Sequence, residues 1–243
     1  MNFYCLEHHG HGRSVGSGSL GLVESFDRLR DDAVQFCRHI INQKGKNRFG
    51  IVGHSLGGAI SLYIGDILQH EFGESFVGVV ALAPSVLGGA PGWATLSLLS
   101  GVSYILPWVA VGPEEHTELY DTGSGLNLNY SGKMRASTAS MFVNDIYPRT
   151  GRLLALQPAE RDELKMNFAF IIFSGDKDGV VPYKLMRVVV EGAATMEKAL
   201  VKLKGKDHQP LIVEGWEEVA SKMSSWFASR TQLQPVTSKL NTS

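Results

Sequence analysis

The sequence predicts an α/β domain whose mostly parallel sheet carries helices on both faces. Three observations lead there. Mainly apolar runs of strand length fall at residues 49–52, 76–82, 167–174 and 199–203. Stretches with apolar residues at helical spacing lie between or beyond them, and an alternation of strand and helix patterns builds a parallel sheet. The run at 76–82 also shows no polar alternation, as suits a strand buried on both faces.

Taken in order, Asn2 to Leu6 is a short apolar run that predicts a first strand, and a Gly/Ser-rich loop follows it to Gly21. Between Val23 and Ile41, apolar residues at Val23, Phe26, Ala33, Val34, Cys37, Ile40 and Ile41 give a helical stripe, so an amphipathic helix should pack on the sheet. After the run at 49–52, Ile60, Ile64, Ile67 and Leu68 set a second helix. The run at 76–82 closes at Ala83-Pro84.

From Ser75 to Pro113 there is no charged residue and no histidine. A transmembrane span needs about 20 unbroken apolar residues, and Gly101 and Pro107 interrupt this one. A core helix would carry a polar face, which this segment lacks. An apolar cap over a binding site, able to touch a lipid surface, fits both features. The cap insertion is expected to span about 85–155, with a helical part from Met134 to Val143. A further strand at 167–174 then leads to Gly175-Asp176-Lys177-Asp178, and Pro182 opens a helix at Tyr183. The last strand precedes Asp207-His208, and a final helix places Trp216, Val219, Met223, Trp226 and Phe227 on one face.

The length of 243 residues suits one α/β domain, taken as 1–230, with a polar tail at 231–243. Lys and Arg number 23 against 24 Asp and Glu, so there is no electrostatic case for nucleic acid. Two cysteines, Cys5 and Cys37, make no disulfide framework and fit a reducing compartment. No basic segment followed by an apolar one opens the chain, so a cytoplasmic location is expected, with membrane association through the cap. His8, His9 and His11 lie close together, but no carboxylate or cysteine falls at a ligand spacing, so no metal is expected.

The chemistry centres on Gly53-His54-Ser55-Leu56-Gly57, which joins a strand to a helix. A serine at the apex of that turn sits in strained backbone geometry that pushes its hydroxyl outward, and Cβ atoms at Gly53 and Gly57 are expected to clash. The Leu56 N–H, at the helix N-terminus, can donate to an oxyanion. Such a serine needs a base within hydrogen-bond reach, and the base needs an acid to set its tautomer. Loops at the carboxyl ends of parallel strands converge on one edge. That brings Ser55, then Asp176 or Asp178, then His208 together, in the order Ser, Asp, His. Asp178 is the chosen acid because it is nearer the helix entry; Asp176 is expected to structure the turn, and Asp207 adjoins His208 too closely to orient it.

With those residues in view, the chain resembles the α/β-hydrolases of the monoacylglycerol lipase and lysophospholipase group. The matching pieces are His9-Gly10-His11-Gly12-Arg13-Ser14, Gly53-His54-Ser55-Leu56-Gly57-Gly58-Ala59, Ala83-Pro84, the apolar cap, Gly175-Asp176-Lys177-Asp178 and His208. The resemblance implies Ser55 as nucleophile, Asp178 as acid, His208 as base, Leu56 N–H as oxyanion donor, and His54 and Tyr130 at the substrate. It implies a lipid ester substrate, cleavage of monoacylglycerol to fatty acid and glycerol, and no metal or organic cofactor.

Two departures stand out. Members of that group have about three more strands before the region matching Asn2; the third lies between the strands matching residues 2–6 and 49–52, and the loop after it carries an H-G motif that supplies a second oxyanion N–H. The chain looks N-terminally shortened, with a central gap in the sheet. The group also often has Asp-Pro where Gly132-Lys133 stands here, which bears on acyl and head-group preference. The alternatives are a lysophospholipase or general carboxylesterase, a catalytically silent protein that binds lipid or a partner, and a peptidase of the same fold.

Overall fold

The computed structural model describes residues 2–15, 23, 25–45, 48–86 and 166–231, together with four two-residue strands between 110 and 135. Its centre is a four-stranded, wholly parallel sheet: β1 (Phe49–His54), β2 (Phe76–Leu82), β3 (Phe170–Gly175) and β4 (Lys198–Leu203), side by side in that order. Among the described residues the α-helices are α1 (Phe26–Lys44), α2 (Leu56–Phe72), α3 (Tyr183–Gly192) and α4 (Trp216–Thr231).

The order of the strands dictates where the helices go. Parallel crossovers are right-handed, so a sheet that grows in one direction places its crossover helices on one face. That face carries α2 and α3, with α1 packed chiefly against α2 through the edge-to-face pair Phe26–Tyr63 and the Arg38–Glu71 ion pair at 2.7 Å. Phe26, Leu29, Val34 and Cys37 of α1 share the core on that face with strand residues Val79 and Ala81, as expected of an amphipathic helix packed there. Phe170, Ile172, Val79 and Ala81 meet Leu62, Ile64, Met186 and Val189 in the larger core. The alternate strand residues Val80, Leu82, Ile171 and Phe173 are covered by Val219 and Phe227 of α4, which folds back over the opposite face. Helices on both faces are thus found, divided unequally.

Every residue of β2 and β3 is buried, as the absence of polar alternation in their sequence requires. Trp216, placed by periodicity on the buried face of the last helix, is 44% exposed, because it is the first residue of α4 and lies beyond the sheet contact. The run at residues 2–6 is not a strand. It is irregular and mostly exposed, with Phe3 80% exposed. A strand exists only by pairing, and among the described residues β1 has no partner on the side away from β2. Val52 on that edge strand is accordingly 44% exposed.

The cap expected at about 85–155 and the tail from 232 lie outside the described residues, apart from Ser85, Val86 and the four short strands. Those pair antiparallel as Ala110–Val111 with Met134–Arg135 and Tyr120–Asp121 with Asn127–Leu128, so the helix expected from Met134 does not begin there. Among the described residues, no helix is long and apolar enough to cross a membrane.

Candidate active site

The nucleophile turn is held in a conformation that an L-residue rarely adopts. Ser55 has φ 51° and ψ −116°, a strained backbone that costs on the order of 1–3 kcal/mol and persists only where its surroundings fix it. Three main-chain bonds fix it here. Ser55 N–H donates to Leu82 O at 2.9 Å, while Ser55 O accepts from Ala59 N at 3.1 Å and from Ser85 N at 2.9 Å. Ser85 can reach back because the chain leaves β2 through Ala83, itself at φ 41°, and Ala83 N–H donates to Phe173 O at 2.8 Å. The Ala-Pro after the strand was the sequence sign of this clamp, but nothing in it showed what the clamp grips.

The two motif glycines are unlike. A Cβ on Gly53 would collide with Gly57 O and sit 2.5 Å from Ser61 Oγ. Among the described residues a Cβ on Gly57 would meet nothing within 4 Å, so the clash expected there is corrected: it falls on the next residue, Gly58, whose Cβ would stand 3.0 Å from Pro84. Glycine at 58 is what lets the start of α2 approach the clamp.

Asp178 lies on the loop after β3 and its carboxyl is fully buried. Its Oδ1 accepts from Val180 N at 2.8 Å and Val181 N at 2.7 Å, and its Oδ2 accepts from His208 Nδ1 at 2.9 Å. Burial alone would raise its pKa. The hydrogen bonds from His208, Val181 and Val180 outweigh that effect and hold the carboxyl below the usual carboxylate range. It is therefore ionised at neutral pH.

His208, on the loop after β4, bridges the other two side chains. With Nδ1–H committed to an acceptor-only carboxylate, Nε2 of the neutral ring is unprotonated and accepts from Ser55 Oγ–H at 2.9 Å. The loops are pinned to each other besides. Asp176 Oδ1 accepts from Gly205 N at 2.6 Å, and Lys177 N donates to Lys206 O at 3.0 Å. Asp176 thus ties the turn, as its place in the sequence suggested, and Asp207 turns back to accept from Gln209 N at 2.8 Å.

The structure brings Ser55, Asp178 and His208 together and puts Leu56 at the first turn of α2, where no helix carbonyl can accept its N–H. The His54 ring lies 5.1 Å from that of His208, centroid to centroid, and its Nε2 donates to His208 O at 2.7 Å, a contact that no spacing rule reveals. Tyr130 lies outside the described residues. Among the described residues, no cluster of His, Cys, Asp and Glu could hold a metal ion. Chemically, the arrangement is a hydroxyl whose proton has an acceptor, and an acceptor whose resulting charge has a buried counterion.

Known proteins similar to this chain give its family and its fold. The Hydrolase_4 family, described as serine aminopeptidase, S33, matches residues 1–214. The monoglyceride lipase of Mus musculus is 25% identical over 236 residues, covering 95% of this chain and 74% of the mouse protein. A soluble variant of the Saccharomyces cerevisiae monoglyceride lipase, solved with a substrate analog, superposes with a TM-score of 0.71 at 17% identity, over 94% of this chain and 77% of the yeast one. The monoacylglycerol lipase of Paleococcus ferrophilus gives 0.63 at 19% identity, over 91% and 80%. With its parallel sheet and these relatives, the chain belongs to the Hydrolase_4 family and has an α/β-hydrolase fold similar to that of the monoglyceride lipases.

Proposed function

We propose that this chain is a serine carboxylic ester hydrolase that cleaves monoacylglycerol to fatty acid and glycerol through an acyl-enzyme on Ser55. The observation that carries the reading is the continuous hydrogen-bonded path Asp178–His208–Ser55, with 2.9 Å at both of its links. Ser55 Oγ attacks the ester carbonyl while His208 Nε2 takes its proton, and the imidazolium is stabilised by the Asp178 carboxylate. His208 then protonates the departing glycerol oxygen. Water, deprotonated by His208, attacks the acyl carbon and releases the fatty acid, restoring Ser55. The Leu56 N–H is the oxyanion donor on the nucleophile side.

The relatives named above support a lipid ester as substrate, and the uncharged stretch from Ser75 to Pro113 supports an acyl-binding cap. Tyr130 is assigned to the glycerol end with it, and peripheral contact with a lipid surface belongs to the same cap. The family description raises amide cleavage as a second reading. A fluorophosphonate probe on the purified chain and on Ser55→Ala, with long-chain monoglyceride, short-chain ester and aminoacyl amide turned over in parallel, tests both. The ester reading expects labelling that depends on Ser55 and turnover of the long-chain ester ahead of the others. Faster amide cleavage would transfer the assignment to a peptidase, and a folded chain that neither labels nor turns over would make it a silent binder.

A further inference from the structure

Among the described residues two hydrogen bonds join the nucleophile turn to the base loop, and one of them belongs to the reaction. Besides the Ser55 Oγ–His208 Nε2 bond, the neighbouring His54 Nε2–H donates to the His208 main-chain oxygen at 2.7 Å. A carbonyl cannot donate, so this nitrogen of His54 carries a proton. The ring is partly buried, and burial lowers its pKa below the usual 6.5, so the donor is a neutral imidazole at neutral pH.

His208 sits in the irregular stretch 204–215 between β4 and α4, where no ladder or helix fixes its backbone. One side of that stretch is gripped by the acid loop, through Asp176 Oδ1 to Gly205 N and Lys177 N to Lys206 O. His54 grips the other side at His208 itself. A side chain that must keep 2.9 Å to Asp178 and to Ser55 at once has little tolerance for movement of its own Cα.

We propose that His54 is a positioning residue: by holding the His208 carbonyl against the strand that carries Ser55, it keeps the imidazole in register with both partners. The inference rests on the serine hydrolase reading above and assigns His54 a task other than contact with substrate. It acts through His208.

The test compares His54→Phe, which keeps ring volume and loses the donor, with His54→Gln, whose amide N–H lies near the position of Nε2. Fluorophosphonate labelling rate, kcat and KM for a monoglyceride, and the downfield proton resonance of the His208 Nδ1–H bond are read on each. His54→Phe should slow labelling and kcat by about 10- to 100-fold, the range that small misplacement of a catalytic group produces. KM should stay within about two-fold, since substrate binding is left intact. The downfield proton should weaken, and His54→Gln should recover most of the loss on every readout.

Wild-type labelling matched by His54→Phe overturns the inference while sparing the hydrolase reading, and so does a rise in KM alone. A His54→Gln variant as slow as His54→Phe overturns it too, because the donor would then not be what matters. If the wild type itself fails to label, the hydrolase reading fails, and the proton resonance still decides whether His54 holds His208.

Discussion

Gly175 closes β3 so near the base loop that a Cβ on it would stand 2.6 Å from the main-chain oxygen of Asp207 and collide with that of Lys206. The acid loop and the base loop touch backbone to backbone only because residue 175 has no side chain. Gly175→Ala must therefore push residues 206 and 207 away, and His208 with them, from Asp178. Overpacking of this kind destabilises by about 1–3 kcal/mol, and separation of the acid from the base should lower fluorophosphonate labelling by about 10²-fold, as small misplacements do. A variant that labels at the wild-type rate would show that the two loops adjust independently.

The glycines of the nucleophile turn offer a sharper contrast. Gly53→Ala would drive a methyl into Gly57 O and Ser61 Oγ, whereas Gly57→Ala meets open space among the described residues. In α2, replacing glycine by alanine removes a helix-weakening residue and is worth up to about 1 kcal/mol. Thermal unfolding should show Gly57→Ala unchanged or raised, and Gly53→Ala lowered by several degrees. Equal losses in both would contradict the open space at Gly57.

Much of this was legible beforehand, for a physical reason. Ser55, Asp178 and His208 each follow an apolar run and lie among turn residues, so a parallel sheet had to deliver all three to one edge. Their local order was written in Gly, Pro and Asp spacing. What stayed hidden depends on where side chains and backbones meet after folding: the reach of His54 to His208 O, the return of Ser85 N to Ser55 O, the place of Gly58 against Pro84. The run Asn2 to Leu6 shows the converse. Its composition suits a strand, but strand character is completed by a neighbour, and the β1 edge offers none among the described residues.

Asp178→Asn preserves the volume of the acid but exchanges its Oδ2 for an amide or leaves a neutral acceptor, so His208 loses both its counterion and its fixed tautomer. In serine hydrolases with this arrangement such a change lowers kcat by about 10⁴-fold. Here the same variant should remain folded, because Val180 N and Val181 N can still donate to the remaining oxygen. Asp176→Asn should instead leave kcat within about ten-fold, since its carboxylate binds Gly205 N and not His208. A reversal of the two effects would reassign the acid.

Cysteine chemistry reports on the α1 face. Cys37 is buried and its thiol is pushed up to about 11 by that burial, whereas Cys5 is exposed. The thiolate is the reactive form. Iodoacetamide at pH 8 should therefore add to Cys5 in the native protein and reach Cys37 only with global unfolding or opening of α1. Two rapid adducts in mass spectra of the native chain would mean that α1 is not packed against α2 as the Phe26–Tyr63 contact requires.

His54 and His8 both have pKa values lowered from 6.5, in each case chiefly by burial, with the carboxylates of Asp178 and Asp32 respectively acting in the opposite sense. A lowered histidine pKa means that the unfolded chain binds protons that the folded one refuses. The contribution of each ring is therefore complete above pH 6.5 and is lost as pH falls from there through the folded value. The depressed pKa of Asp178 adds a second loss of the same sign only at still lower pH, below the ordinary carboxylate range. Urea midpoints measured from pH 8 to pH 5 should decline below about 6.5. The decline should be shallower in His54→Gln and His8→Gln, which cannot take up the proton. A midpoint that stays level to pH 5 in the wild type would mean that neither ring is buried as described.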